Sequence, residues 1–372
     1  MLGNTALIGI IRRFIENSPK LAISFRDYME LCLYHPEHGY YMNNKDKIGR
    51  NGDFYTSSAI GGLFGEVLAN YVASQAEELG TEQELTLVEW GGGTGQLAQQ
   101  LLDELKVSAM TVYKRMAYIS VEASPHHRAV QADRLAEHAE RVQWMNEQEW
   151  LIAAPRDNVI VFSNELLDAF PVHRVQIVKG QLYEIYVEWD DREGGFRDKL
   201  FLLAAGPVLD YINSQGVEMQ DGQLLEVNLE ATAWIHRIGH SIGRGQLVTI
   251  DYGDRSEELY APYRMNGTLM TYRKHVAEDN PYTHPGEQDI TSHVNFSCLI
   301  KEGAAVGLKQ EQFITQKQFL VENGLLQKLQ DTASPDPFSA AARRNRAVRQ
   351  LLLSDQMSEL FKVLIQKKGE LP

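Results

Sequence analysis

Apolar positions in this chain change their spacing several times, and each change marks an element. Leu85, Leu87 and Val88 form a short run of the kind buried strands carry, and Leu97, Leu101, Leu102 and Leu105 recur at helical spacing over residues 96–105. Together they predict a strand, a glycine turn and an amphipathic helix. Further apolar runs at 117–121 and 159–162 are separated by a helical segment reaching residue 139 and a short strand at 142–144. Such alternation over residues 81 to about 165 is the α/β signature. The period then changes: residues 173–178 and 182–189, flanking Lys179-Gly180-Gln181, predict an antiparallel hairpin. Residues 246–250 resume the buried-strand pattern, 308–330 are expected to return a last strand and helix, and 343–368 reads as a terminal amphipathic helix. Residues 1–80 read mostly as helix and loop.

The turn after the first strand carries chemistry. It reads Glu89-Trp-Gly-Gly-Gly-Thr-Gly95, and glycine lets backbone approach a ligand closely because it lacks a Cβ. In a dinucleotide enzyme such a turn holds a pyrophosphate at the helix N-terminus, and Glu89 would repel that anion. A cationic ligand removes the conflict. S-adenosylmethionine carries an α-ammonium group and a sulfonium and has no phosphate, so Glu89, Gly91, Gly93 and Gly95 are candidate residues for binding it. Gly93-Thr-Gly95-Gln-Leu-Ala98 also satisfies the relaxed G-x-G-x-x-A pattern, which keeps a nicotinamide-dependent oxidoreductase open, as well as a tight turn without ligand. Glu122 ends the next apolar run, where an acid accepts hydrogen bonds from both ribose hydroxyls; a solvated strand end is its alternative.

Three other polar segments stand out. Asp53, Thr56 and Ser57 precede an amphipathic helix, as cofactor contacts or as helix caps. Asn164, Glu165 and Asp168 follow the fourth strand, at the sheet edge where doubly wound folds bind ligands, and are candidates for catalysis or for a capped turn. Asp289 and His293 lie in a polar loop that leads into a helix, as substrate contacts or as solvated loop residues.

Composition narrows the classes. A chain of 372 residues exceeds the size at which one core stops growing, so one elaborated domain or two closely connected ones are expected. A formal charge of -14 argues against nucleic acid and anionic membrane surfaces as partners and is compatible with a basic protein. Cys32 and Cys298 lack C-x-x-C spacing, so neither a disulfide framework nor a metal site is indicated, and a cytoplasmic setting is expected. The apolar residues 1–11 are followed, not preceded, by Arg12 and Arg13, and read as the first helix. No apolar stretch reaches the length that crosses a bilayer.

In order and wording, Gly52-Asp-Phe-Tyr-Thr-Ser57, Glu89-Trp-Gly-Gly-Gly-Thr-Gly95, Val121-Glu122, Asn164-Glu-Leu-Leu-Asp-Ala-Phe-Pro-Val172, Asp251-Tyr-Gly253, Gly267-Thr-Leu269 and Asp289-Ile-Thr-Ser-His-Val-Asn-Phe296 resemble the MidA family of S-adenosylmethionine-dependent methyltransferases. The resemblance covers roughly residues 20–330. Mitochondrial members of that family are protein arginine methyltransferases that assist assembly of respiratory complex I. The resemblance implies a class I, Rossmann-like α/β fold with a seven-stranded mixed sheet. It also implies a helical cap at 1–80, a methyltransferase core at 81–330 with a substrate-side insertion at 170–245, and a helical extension at 331–372. The implied activity is methyl transfer to a protein side chain, arginine foremost, on a respiratory-complex-type subunit; an S-adenosylmethionine-binding assembly chaperone without transfer is the alternative. Two positions depart from the family's wording: Ser58-Ala59 stands where Pro-Glu is common, and Gly91-Gly-Gly-Thr-Gly95 where Gly-Pro-Gly-Arg-Gly is.

Overall fold

The computed structural model describes residues 3–43, 62–78, 83–153, 155–216, 218–274, 276–331, 336, 338–353 and 357–369. The chain divides into two compact units: Met1–Phe54, Leu167–Ile235 and Tyr252–Glu302 form the first, and Tyr55–Leu166, His236–Asp251 and Gly303–Pro372 the second. In chain order the described strands are β1 (Ile23–Ser24), β2 (Leu85–Trp90), β3 (Met116–Val121), β4 (Val142–Met145), β5 (Arg156–Asn164), β6 (His173–Val178), β7 (Gln181–Asp190) and β8 (Gly195–Leu202). They continue with β9 (Leu224–Val227), β10 (Ile242–Asp254), β11 (Met270–Arg273), β12 (Val276–Glu278), β13 (Asp289–Thr291), β14 (Val294–Asn295), β15 (Lys309–Thr315) and β16 (Phe361–Lys368).

The second unit is built on strands ordered β15-β16-β10-β5-β2-β3-β4. β2 pairs in parallel with both β3 and β5, β5 in parallel with β10, and β15 runs antiparallel to β16. Val88, Ile119 and Val161 lie level across three of these strands and are buried, which is why the strands read as near-continuous apolar runs. Strand order reverses at β2, with β3 and β4 on one side and β5 and β10 on the other. Open α/β sheets bind ligands at such a switch point, beyond the carboxyl ends of the strands. The helix Gln96–Ser108 buries Leu97, Ala98, Leu101, Leu102 and Leu105. The helix Leu63–Glu78 meets it so closely that a Cβ on Gly65 would lie 2.3 Å from the Gln100 Cβ.

One expected element is corrected. In place of a single helix over 343–368 there are a helix at Ala340–Leu353, a short one at Met357–Leu360, and then β16, which enters the sheet between β10 and β15. The run Val363-Leu364-Ile365 is buried in that sheet. A short apolar run fits helix or strand equally in periodicity, and tertiary packing decides.

The first unit holds an antiparallel sheet ordered β1-β7-β6-β9, with β8 on the other edge of β7, and a three-stranded sheet of β11, β12 and β13. β6 and β7 form the expected hairpin, closed at Val178 and Gln181 with Lys179 and Gly180 both at positive φ, as a two-residue hairpin turn requires. The helices Thr5–Asn17 and Phe25–Tyr34 share one core with this unit's strands, in which Leu7, Ile11, Phe25 and Tyr28 join Val187, Phe196 and Ile290. Asn4 and Ser24 cap the two helices, their side-chain oxygens accepting backbone N–H groups. Within residues 1–80 the helices Thr5–Asn17 and Phe25–Tyr34 fall in the first unit and Leu63–Glu78 in the second. Among the described residues no helix is long and apolar enough to cross a membrane.

Candidate functional site

The turn after β2 runs through Gly91, Gly93 and Gly95 at φ of 71, 51 and 74°, the left-handed region that glycine occupies without a Cβ clash. Gly91 N donates to Val121 O and Gly95 N to Gly92 O, each at 2.9 Å. The Glu89 carboxylate lies against this turn: a Cβ built on Gly92 would stand 2.3 Å from Glu89 Oε2. Only glycine leaves room for the acid. Glu89 is 3% exposed and its Oε2 accepts the Tyr118 hydroxyl at 2.7 Å. Burial, opposed by that hydrogen bond and reinforced by Glu122, pushes its carboxyl up to about 7.

Glu122, at the end of β3, ties two turns together. Its Oε2 accepts Gly93 N at 3.1 Å and its Oε1 accepts Ser124 N at 2.8 Å. A residue without an obvious motif braces the same loop. Gln131 Nε2 donates to Gly93 O at 2.8 Å, while its Oε1 accepts Ser120 Oγ at 2.7 Å and Trp144 Nε1 at 2.9 Å. The available signal was a polar side chain at helical spacing from the buried His127 on Pro125–Arg134, opposite Ser120 and Trp144 on neighbouring strands.

The end of β5 supplies the other wall of the switch point. The β2–β5 ladder closes with Trp90 opposite Ser163, so the glycine turn and Asn164-Glu165 leave the same edge of the sheet. Glu165 is held at φ 54°, unusual for a residue with a Cβ. Its N–H donates to Ile250 O at 2.9 Å, and Leu166 N donates to the buried Asp251 Oδ2 at 3.2 Å. Asn164 Nδ2 donates to Glu165 Oε1 at 3.1 Å, while Asn164 Oδ1 is buried and accepts no hydrogen bond from the described residues. Backbone strain of this kind concentrates at functional sites.

In the first unit, Asp168 lies buried in the 3-10 turn Leu167–Ala169, and its backbone oxygen accepts Ser292 N at 2.9 Å. Asp289 is buried at the start of β13 and accepts the Tyr41 hydroxyl at 2.7 Å. Burial first, then the charges of Asp289 and Asp168 with Tyr34 between them in effect, hold the Tyr41 phenol well above its usual range. Burial and the same two acids also raise Tyr272. Asp168 and Asp289, far apart in sequence, thus act on one group of tyrosines that no motif announced. His293 is half-buried, its N–H donating to Thr268 Oγ1 at 3.0 Å and its ring stacked on Tyr252 with centroids 6.4 Å apart. Asp53, Thr56 and Ser57 lie outside the described residues, as do Ser58 and Ala59.

The chain is similar to known proteins in sequence and in fold. Residues 67–314 match the family described as "Putative S-adenosyl-L-methionine-dependent methyltransferase". The Drosophila melanogaster protein arginine methyltransferase NDUFAF7 homolog, mitochondrial, is 30% identical over 301 residues, covering 74% of this chain and 65% of that protein. The Danio rerio protein arginine methyltransferase NDUFAF7, mitochondrial, is 27% identical over 363 residues, covering 91% and 82%. A Burkholderia thailandensis crystal structure bound to S-adenosyl-homocysteine is 31% identical with a TM-score of 0.87, covering 98% of this chain and 93% of that one. With the family match spanning most of the parallel sheet and the glycine turn at its switch point, the chain belongs to the MidA-type family of S-adenosyl-L-methionine-dependent methyltransferases.

Proposed function

We propose that this chain transfers a methyl group from S-adenosylmethionine to an arginine side chain of a protein substrate. The observation that carries the reading is the Glu89 carboxylate beneath Gly92, beside Glu122 clamped to Gly93 N. A glycine turn backed by two acids fits a ligand with a cationic end and a ribose, and it opposes a pyrophosphate. Each Glu122 oxygen uses one lone pair on a backbone N–H and keeps another for a ribose hydroxyl. Glu89 places negative charge at the turn for the α-ammonium end. When bound, S-adenosylmethionine supplies a methyl group on a sulfonium, open to in-line displacement.

The chain's own task is to align the acceptor nitrogen and exclude water, which lowers the barrier substantially. A guanidinium is a poor nucleophile because it is delocalised and protonated near neutrality. Carboxylates that bind it bidentately fix its plane and favour charge on the nitrogens not attacked. Glu165, oriented by Asn164 Nδ2, is assigned to that task. Asp168, with Asp289 among the tyrosines, is assigned to acceptor binding, as is His293.

The names of the fly and zebrafish relatives support arginine as the acceptor. The family resemblance extends the proposal to a respiratory-complex-type subunit as substrate, and the buried free thiols of Cys32 and Cys298 suit a reducing, cytoplasmic setting. The test uses the purified chain, methyl-labelled S-adenosylmethionine and a lysate of cells lacking the chain, followed by acid hydrolysis of the labelled protein. Label in methylarginine supports the proposal; label in another amino acid removes arginine, and no transfer to any protein favours an assembly chaperone that binds the cofactor only.

A further inference from the structure

Gln131 is fully buried in the helix Pro125–Arg134 and makes three hydrogen bonds whose donors and acceptors leave its amide one orientation. Its Oε1 accepts Ser120 Oγ at 2.7 Å and Trp144 Nε1 at 2.9 Å, and its Nε2 donates to Gly93 O at 2.8 Å. An indole N–H can only donate and a backbone carbonyl can only accept. Turning the amide over would set N–H against N–H at Trp144 and oxygen against oxygen at Gly93. The residue type follows from the same constraint: an ionised carboxylate cannot donate to Gly93, and lysine or arginine cannot accept from Trp144. Ser120 and Trp144 stand opposite each other on β3 and β4, so two strands set the amide and the amide sets the turn.

Gly93 is thereby held at both of its polar atoms, its N–H by Glu122 Oε2 at 3.1 Å and its oxygen by Gln131. A peptide unit is planar and trans, so fixing the Gly93 oxygen also fixes the direction of the Thr94 N–H. Gly93 sits at φ 51° and, lacking a Cβ, has many other conformations open to it once either tie is lost. The stem of Gln131 also lies along Gly95, where a Cβ would stand 2.9 Å from Gln131 Cγ, at the start of the helix Gln96–Ser108. A turn ordered before the ligand arrives leaves less ordering to be done on binding, which raises affinity.

We propose that Gln131 is a positioning residue for S-adenosylmethionine, acting through the Gly93–Thr94 peptide, whose orientation it sets from β3 and β4. The role goes beyond the acceptor chemistry proposed above and is the same whichever group receives the methyl. Two variants of the full chain test it. Gln131→Met keeps the length of the side chain and removes all three bonds; Ser120→Ala leaves Gln131 in place and removes one of the two donors that orient its amide. Calorimetry with S-adenosylhomocysteine is paired with amide hydrogen exchange of the ligand-free chain. Gln131→Met is expected to weaken the ligand at least about tenfold, and Ser120→Ala about threefold, because the Gly93 oxygen loses its donor in the first and only part of that donor's support in the second. In Gln131→Met, exchange over residues 91–96 should quicken by at least about tenfold while β2 and β3 exchange as in the wild type, since a local opening is read locally. In the double variant, Ser120→Ala should add no further loss of affinity, because its effect passes through Gln131. Unchanged affinity in Gln131→Met overturns the proposal. Lost affinity with unaltered exchange in the turn also overturns it, as does exchange that quickens equally through β2 and β3, which would make Gln131 a general support of the sheet. If Gln131→Met does not fold, Ser120→Ala decides alone, and wild-type affinity there overturns the proposal.

Discussion

The Tyr118 hydroxyl donates to Glu89 Oε2 at 2.7 Å and anchors a buried carboxylate whose pKa has risen to about 7. The two residues sit on adjacent parallel strands, where Tyr118 lies opposite Leu87, two positions before Glu89. Side chains two apart on a strand share a face, so the pairing fixes the acid beneath the glycine turn. Removing the donor in Tyr118→Phe is expected to raise the Glu89 pKa further and to weaken S-adenosylhomocysteine about tenfold at neutral pH, the cost of one hydrogen bond to a charged group. Calorimetry at two pH values checks it; equal affinities in variant and wild type would separate Tyr118 from the site.

The raised carboxyl also sets a pH dependence with a definite sign. The folded chain holds the Glu89 proton more tightly than the unfolded chain, whose carboxyl titrates near its ordinary 4.5. Stability from this proton is therefore fully present below that value and is lost as pH rises through about 7. The ligand-free wild type should lose stability relative to Glu89→Gln between about pH 5 and about pH 8. Affinity for a cationic ligand should move the other way, falling by up to about tenfold per pH unit below neutrality in the wild type and staying flatter in Glu89→Gln. Parallel profiles in denaturant titrations and calorimetry would show that Glu89 does not titrate there.

Gly92 and Glu89 compete for one space. Gly92→Ala is expected to destabilise the chain by about 1–3 kcal/mol through overpacking and to lose cofactor binding. Because the clash is with the Glu89 carboxylate, the double variant Gly92→Ala/Glu89→Ala should recover stability without recovering affinity. Chemical denaturation of the four members of the cycle reads this out. Additive losses would mean that the two positions do not meet.

Glu165 combines a strained backbone with a side chain assigned to the acceptor. Glu165→Gly should therefore be at least as stable as Glu165→Ala, by about 1 kcal/mol, while both lose methyl transfer and retain the cofactor. A Glu165→Ala variant that outlasts Glu165→Gly on thermal unfolding, or that keeps full activity, contradicts the assignment.

Much of the glycine turn and its surroundings is legible in the sequence because the constraints there are local. An acid before a glycine turn, an acid closing the next strand and apolar strand runs all follow from backbone geometry and burial, and the structure places Glu89, Gly93 and Glu122 side by side. What stayed hidden depends on long-range pairing. Gln131 reads as one more polar residue on a helix until β3 and β4 bring Ser120 and Trp144 to it. Tyr41 and Asp289 meet across 248 positions of sequence. The short apolar run of β16 has no periodicity to separate helix from strand, and only its slot between β10 and β15 selects the strand.

The glycine turn, Glu89 and Glu122 are proposed to hold S-adenosylmethionine and not a dinucleotide. The most direct measurement is the melting temperature of the full chain titrated with S-adenosylhomocysteine or with a nicotinamide dinucleotide, in the wild type and in Glu122→Ala. Selective binding stabilises by mass action, by about 2.7 kcal/mol at a hundredfold excess over Kd. Expected are a concentration-dependent rise with S-adenosylhomocysteine in the wild type, a much smaller one in Glu122→Ala at the same concentration, and none with the dinucleotide. A rise with the dinucleotide, or an undiminished response in Glu122→Ala, would contradict it.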